Sequence, residues 1–508
     1  MNRPNVLLIL ADQHQAKCMG LEGHPNVRTP HLDRLASEGI RFRNAIVQNP
    51  ICTPSRVCWL SGQYCHNHGY YGLSGPRPPG LPNLLGHFRK AGYRTAAIGK
   101  IHCPEYWVED NSDVFHDTNG ASIGGRSPEY AKYLEERGLT RKEDHQTLWE
   151  FGPAGRQKVD GRPSMVAYED SQEGWVAREA VRFMRNCREA DRPFIMEVSF
   201  PKPHQTYAPA REFWDLYPFE DLVLPPNADW DLAGKPPNLR RMAEHWRKGE
   251  WTLFEPRTFE AGRLRKLRGY LGNISQVDRA VGDVLAGLRE AGLDRDTIVI
   301  YSSDHGDFAC EHGIMEKAPG IGSDAITRVP MIWRWPERFP AGAVCPELVE
   351  TVDFAATVPV LCGLDPLETA DGQDIAGLLA GGHGPVRKVA VTEFAWSKSV
   401  RKGPWRLVYY PPEMFAEEHP DGFGELYHIE DDPWEMRNLW SDPAHQDKVR
   451  ELQTDLLDWL VTTTRPATVL RAQSWDSPQA VTRYRNTVNA DGKLPTARVR
   501  ERAGGNYL

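Results

Sequence analysis

Five short stretches of the chain carry residue types that do chemistry once they share a pocket. Asp12-Gln13, Gly99-Lys100-Ile101-His102, Pro201-Lys202-Pro203-His204 and Ser303-Asp304-His305-Gly306-Asp307 each follow directly on an apolar run. Asp12, Asp304 and His305, with the amide oxygen of Gln13, have the makings of a divalent metal site. Carboxylate and amide oxygens suit Ca²⁺, Mg²⁺ or Mn²⁺, and an imidazole moves the balance toward Mn²⁺ or another transition metal. Taken alone, Asp12 reads equally well as a helix cap. An adjacent Asp-His pair behind a buried strand calls for a stronger reason. The fifth stretch, Cys52-Thr53-Pro54-Ser55-Arg56, places a thiol ahead of a proline and a cation four residues further on. Its plain reading is a buried thiol before a proline turn.

These residues need elements that bring them together. Apolar runs at 5–11, 94–98, 194–200, 297–302 and 329–335 read as buried strands. Helical patterns lie between them: 31–39 and 83–91, each meeting a glycine at its end, and 270–291, which ends at Gly292. Strands alternating with helices predict an α/β fold, a large and mostly parallel sheet covered on both faces. Ligands of such sheets bind beyond the carboxyl ends of the strands. Four strands running into ionisable residues therefore predict one shared site. Beyond about residue 380 the pattern changes. Short strand candidates at 388–394, 405–410 and 424–429 and an amphipathic helix at 444–463 predict a smaller α+β unit with an antiparallel sheet. The expected units are 1–375 for the catalytic α/β part, 376–465 for the C-terminal α+β part and 466–508 for a polar tail that could serve as an oligomerisation arm.

Composition narrows the class. The chain has 508 residues, 40% hydrophobic and 26% charged, with a formal net charge of -8. Nucleic-acid binding is not expected, because no basic domain supplies the field for it. No apolar window is long enough for a membrane span, and the run 5–11 is too short, and too soon interrupted by Asp12, for an export signal. Nine cysteines with no framework spacing then predict free thiols and a cytoplasmic location. Cys58 and Cys65 are read as structural, and His24, His31, His66 and His68 as structural or surface residues. His312 is a candidate pocket-lining residue.

Cys52-Thr53-Pro54-Ser55-Arg56, followed by Leu60-Ser61-Gly62, resembles the C-x-P-x-R signature of the sulfatases, in the alkaline phosphatase superfamily. Asn5 to Gln13 resembles that family's first strand and metal ligands. Gly99-Lys100-Ile101-His102, Pro203-His204, Ser303–Asp307 and Glu316-Lys317 resemble its later elements, in the family's order. Gly424-Glu425-Leu426-Tyr427 and Asp432 to Leu439 resemble its C-terminal ending. Two departures stand out. Gln13 sits where many sulfatases have a second Asp, and His305 where many have Asn. Both are similar to choline sulfatases and phosphonate monoester hydrolases.

The resemblance implies a sulfuric ester hydrolase whose Cys52 is oxidised to formylglycine by a formylglycine-generating enzyme. It implies a divalent metal held by Asp12, Gln13, Asp304, His305 and residue 52, with Ca²⁺ expected first and Mn²⁺ or Mg²⁺ as alternatives. One hydroxyl of the hydrated aldehyde would attack sulfur, and the other, deprotonated by His102, would expel sulfate. His204 or Lys317 would give the leaving alcohol its proton, and Arg56, Lys100 and Lys317 would stabilise charge. The expected substrate is a small-molecule or saccharide sulfate ester. The alternatives are a phosphonate monoester or phosphodiester hydrolase on the same scaffold, and a homologue that has lost catalysis. Specificity is expected from the long segments 105–175 and 204–260.

Overall fold

The computed structural model describes residues 3–73, 77–118, 129–139, 149–152, 155–158, 161–248, 258–318, 320–367, 369–394 and 396–465. The tail expected at 466–508, and parts of the segments 105–175 and 204–260, lie outside the described residues.

The strand Asn5–Asp12 (β1) is buried along its whole length. An unbroken apolar run suits only a strand covered on both faces, and β1 sits inside a nine-stranded sheet. The other strands of this sheet are Ile40–Ile46 (β2), Arg94–Gly99 (β3), Val114–Asp117 (β4), Phe194–Pro203 (β5), Thr297–Ser303 (β6), Arg328–Val329 (β7), Met331–Arg334 (β8) and Ala343–Glu350 (β9). Their order is β9-β2-β8-β6-β1-β5-β3-β4, with β7 paired to β2. From β6 to β4 every pairing is parallel. The strands β6, β1, β5 and β3 are therefore neighbours with their carboxyl ends at one edge. These are the four strands whose following residues carry the candidate chemistry. The run 329–335 differs from the parallel expectation. Pro330 splits it, and β8 runs antiparallel between β6 and β2.

Helices cover both faces. On one side Gln172–Glu189 and the long helix Phe259–Glu290 pack on β1, β5 and β6 through residues such as Val176, Val281, Ile9 and Val198. The second of these starts eleven residues before the expected 270. On the other side, Cys52–Ser61 and Phe354–Leu361 pack Trp59 against Phe354. A four-stranded antiparallel sheet follows, made of Ala390–Glu393 (β10), Lys398–Lys402 (β11), Trp405–Tyr409 (β12) and Gly424–His428 (β13). The helix Gln446–Thr463 lays Val449, Leu452 and Trp459 on it. Among the described residues no helix is long and apolar enough to cross a membrane.

Candidate active site

The helix Cys52–Ser61 begins at Cys52 itself, and all ten of its residues are buried. Pro54 falls in the first turn, where its missing N–H costs nothing. The free N–H groups of that turn and the helix dipole favour negative charge at residue 52. Gly62, at φ 73°, closes the helix in the left-handed conformation.

Around Cys52 the strand ends converge. Ligand atoms of Asp12, Cys52, Asp304 and His305 all lie within 4.8 Å of one another. Cys52 Sγ is 3.1 Å from His305 Nε2, 3.8 Å from Asp12 Oδ1 and 4.0 Å from Lys100 Nζ. The Lys100 ammonium contacts the Asp12 carboxylate directly. His102 reaches the same sulfur. Burial alone would push the Cys52 thiol up. Lys100, Lys317 and His305 outweigh that and hold it well below its ordinary value. Burial also raises Asp12, but Lys100, His204 and Arg56 bring it to about 2. Burial and the neighbouring Asp12 raise Asp304.

The chemistry of these donors fits a divalent cation. Two buried carboxylates, held by Arg56 and Lys100, lie within 4.8 Å of a thiol and an imidazole, a donor set of the kind that binds divalent ions. His305 Nδ1–H donates to the Gly306 carbonyl at 2.9 Å, which leaves the Nε2 lone pair aimed into the cluster. That is the tautomer a metal-binding imidazole needs. Gln13 is set by its neighbours: its Nε2 donates to Asp307 Oδ2 at 2.6 Å, and its Oε1 accepts from Lys317 Nζ at 3.0 Å.

Lys317 also donates to His204 Nε2 at 3.0 Å, while His204 Nδ1–H donates to the Gln205 carbonyl at 2.8 Å. Burial, Lys317 and Lys100 hold His204 at about 3, so the ring is neutral. Cys52 and Asp12 outweigh burial and raise Lys317. Of the two candidate acids, Lys317 thus carries the proton. Arg56, expected to stabilise charge, lies against both carboxylates. Its guanidinium binds Asp304 Oδ2 (2.9 Å), the Lys100 carbonyl (2.5 Å) and Ser199 Oγ (2.9 Å), with Asp12 Oδ2 at 3.5 Å. It braces the carboxylates and makes no hydrogen bond to residue 52.

Several groups here were not singled out in the sequence. Asp307 and Tyr207 hold the Gln13 amide. Glu197, buried on β5, lies 3.8 Å from Arg56 and is pushed by burial to about 7. Asp307 stood in a quoted motif with no role of its own, and Glu197 sits mid-strand with no local signal. His312 is buried beside Asn227, outside the Cys52 cluster.

Comparison with known proteins gives the family. The sulfatase family model matches residues 4–364, and the N-sulphoglucosamine sulphohydrolase C-terminal model matches 310–461. The chain belongs to the sulfatase family, and so to the alkaline phosphatase superfamily; it is a hydrolase of sulfuric esters. It is similar to an arylsulfatase of Clostridium perfringens, at 26% identity over 90% of this chain and 94% of the relative. A choline-sulfatase of Rhizobium meliloti is 27% identical over 87% and 83%. The fold is shared with the phosphonate monoester hydrolase of Silicibacter pomeroyi, with a TM-score of 0.74, 22% identity and coverage of 91% and 96%.

Proposed function

We propose that the chain hydrolyses sulfate monoesters of small alcohols or saccharides with a nucleophile made by oxidising Cys52 to formylglycine. The observation that carries this reading is the placement of Cys52. It sits at a buried helix start, among Lys100, His102, Lys317 and a cation-suited set of Asp12, Asp304 and His305. The ammonium groups of Lys100 and Lys317 beside a buried helix N-terminus suit an incoming sulfate.

Asp12, Gln13, Asp304, His305 and residue 52 would hold the divalent metal. When bound, that ion supplies Lewis-acid polarisation of the sulfate oxygens and makes a hydroxyl more acidic. The chain's own residues do the rest. Arg56 fixes the two carboxylates. Lys100 and Lys317 bind sulfate oxygens. Lys317, passing its proton directly or through His204 Nε2, protonates the leaving alcohol. His102 takes the proton from the second hydroxyl of residue 52, which lets sulfate depart.

The test is peptide mass spectrometry after co-expression with a formylglycine-generating enzyme. Trypsin releases Cys52 in the fragment 44–56. A loss of about 18 Da there, with turnover of aryl and sugar sulfates, is the expected result. An unmodified Cys52 in active protein would refute the nucleophile. A second reading, hydrolysis of phosphonate monoesters or phosphodiesters, is favoured by Gln13 and His305, the two departures from the commoner sulfatase pattern. Paired sulfate and phosphonate substrates separate the two. A homologue without catalysis is disfavoured, since every matched position is chemically competent.

A further inference from the structure

A second sulfur cluster lies further along the helix that starts at Cys52. Cys58 Sγ is 3.5 Å from Cys65 Sγ and 3.3 Å from His68 Nε2, and all three side chains are buried. By residue type this is a possible metal site, with ligand atoms within 4.8 Å of one another. The state of the imidazole argues otherwise. The backbone N–H of Tyr70 donates to His68 Nδ1 at 3.0 Å, so that nitrogen carries no hydrogen. Burial keeps the ring neutral. Its one hydrogen is therefore on Nε2, the atom that faces Cys58. A ring in this tautomer has no lone pair for a cation, whereas His305 presents the opposite arrangement. The cluster is a dithiol with an N–H donor aimed at one sulfur.

We propose that Cys58 and Cys65 are a reversible disulfide site, chemically separate from Cys52 and independent of whether Cys52 is oxidised. A disulfide needs its sulfurs about 2.05 Å apart. The present separation is 3.5 Å, which leaves about 1.5 Å to close. The oxidant that suits a fully buried pair is a small peroxide such as hydrogen peroxide. One sulfur, as thiolate, attacks a peroxide oxygen and the O–O bond breaks. The sulfur becomes a sulfenic acid, and the hydroxide released takes up a proton to leave as water. The second sulfur then displaces that oxygen as another water and the S–S bond forms. The two cysteines lose two electrons, and the peroxide ends as two waters. Burial and the neighbouring Cys65 push the Cys58 thiol well above its ordinary value; the His68 N–H aimed at that sulfur is the donor that offsets part of this cost when the thiolate forms.

The bond would join two parts that matter. Cys58 belongs to the helix that carries Cys52 and Arg56. Cys65 starts the turn Cys65–His68, which is fastened to the C-terminal sheet and helix. His66 Nδ1 meets Glu393 Oε1 at 2.9 Å, and Asn67 Nδ2 donates to the Thr463 carbonyl at 2.9 Å. Oxidation would make the link between nucleophile helix and C-terminal unit covalent.

The full-length, matured enzyme is exposed to hydrogen peroxide, denatured in an alkylating agent and digested with trypsin. Arg56 separates the two modifications, since Cys58 and Cys65 share the fragment 57–89, in which Arg77 precedes a proline. Exposed Met165 reports that oxidant was present. The expected result is a 57–89 fragment about 2 Da lighter with neither cysteine alkylated, restored by dithiothreitol. A Cys65→Ser variant should stop at a Cys58 sulfenic acid that dimedone traps. Full alkylation of both cysteines once Met165 is a sulfoxide would overturn the proposal, as would sulfinic acid at Cys58 in the wild type. So would one equivalent of zinc that survives Cys52→Ser and is lost in Cys58→Ser.

Discussion

Replacing Arg56 with lysine keeps the charge and removes the fork. The guanidinium is buried and gives three strong hydrogen bonds, to Asp304 Oδ2, the Lys100 carbonyl and Ser199 Oγ. A lysine ammonium stops about one bond length short and cannot address a carboxylate, a carbonyl and a hydroxyl that lie on different sides of a planar group. If it keeps Asp304, two bonds are lost and the Lys100 carbonyl is left buried without a donor. Each loss costs about 1–2 kcal/mol, so Arg56→Lys should destabilise the fold by roughly 2–4 kcal/mol. The carboxylates of Asp12 and Asp304 also lose their brace, and loss of such support weakens metal binding by about 10–100-fold. Urea unfolding monitored by tryptophan fluorescence gives the first quantity, and chelator competition on folded protein gives the second. A variant with an unchanged urea midpoint and unchanged metal affinity would show that Arg56 is not the brace described here.

Three further outcomes follow from the geometry. Lys317→Ala should lower turnover of alkyl sulfates by about 10²–10⁴-fold while 4-nitrophenyl sulfate, whose leaving group needs little help, falls far less; equal losses on both would remove Lys317 from the acid role. Glu393 is raised by burial but brought to about 2 overall by the bond from His66 and by Lys398. Its folded pKa is depressed, so its contribution of about 3 kcal/mol is present above the ordinary value and lost as pH falls from about 4.5 toward 2. The stability difference between wild type and Glu393→Gln should therefore shrink between pH 5 and pH 3 in urea titrations, and a difference that stays flat would contradict the assignment. Gly99 has φ 113°, and a Cβ there would lie 1.9 Å from the Ser199 carbonyl oxygen. Gly99→Ala should cost several kcal/mol, on the order of 2–4, and shift Lys100, cutting activity more than Gly92→Ala does; parity between the two in melting point and turnover would argue against this close contact.

Much of the arrangement could be read from short-range signals. The runs 5–11, 94–98, 194–200 and 297–302 became β1, β3, β5 and β6, because strands buried on both faces need continuous apolar sequence. Their polar successors met at one edge, as parallel pairing requires. The strands Ile40–Ile46 and Ala343–Glu350 were not recognised. Arg41, Arg43, Pro346 and Glu347 break their apolar character, and their burial comes from one another. The antiparallel direction of Met331–Arg334 was not readable either, since an apolar run says nothing about which way its neighbours point. Within the site, residue types were legible and partners were not. Arg56 was legible as a cation, but that its long side chain runs to the carboxylates at the ends of β1 and β6 was not. Cys58, Cys65 and His68 looked unremarkable one at a time; their interest is the contact that the turn after Gly62 creates.

The central position of β1 also sets an order in time. Cys52 is 1% exposed, sealed beneath the ends of β1 and β6. Its neighbour in that seal, Asp304, is roughly 250 residues downstream. At about 10 residues per second, translation leaves on the order of 25 s in which the Cys52 segment exists while its cover does not. An enzyme that oxidises Cys52 must work within that interval or on an unfolded chain. If Cys52 is the precursor of the nucleophile, as proposed above, slowing the arrival of the Thr297–Ser303 segment would lengthen the opportunity and raise the modified fraction, and the yield of active enzyme would depend on the pace of synthesis as well as on the geometry of the finished site.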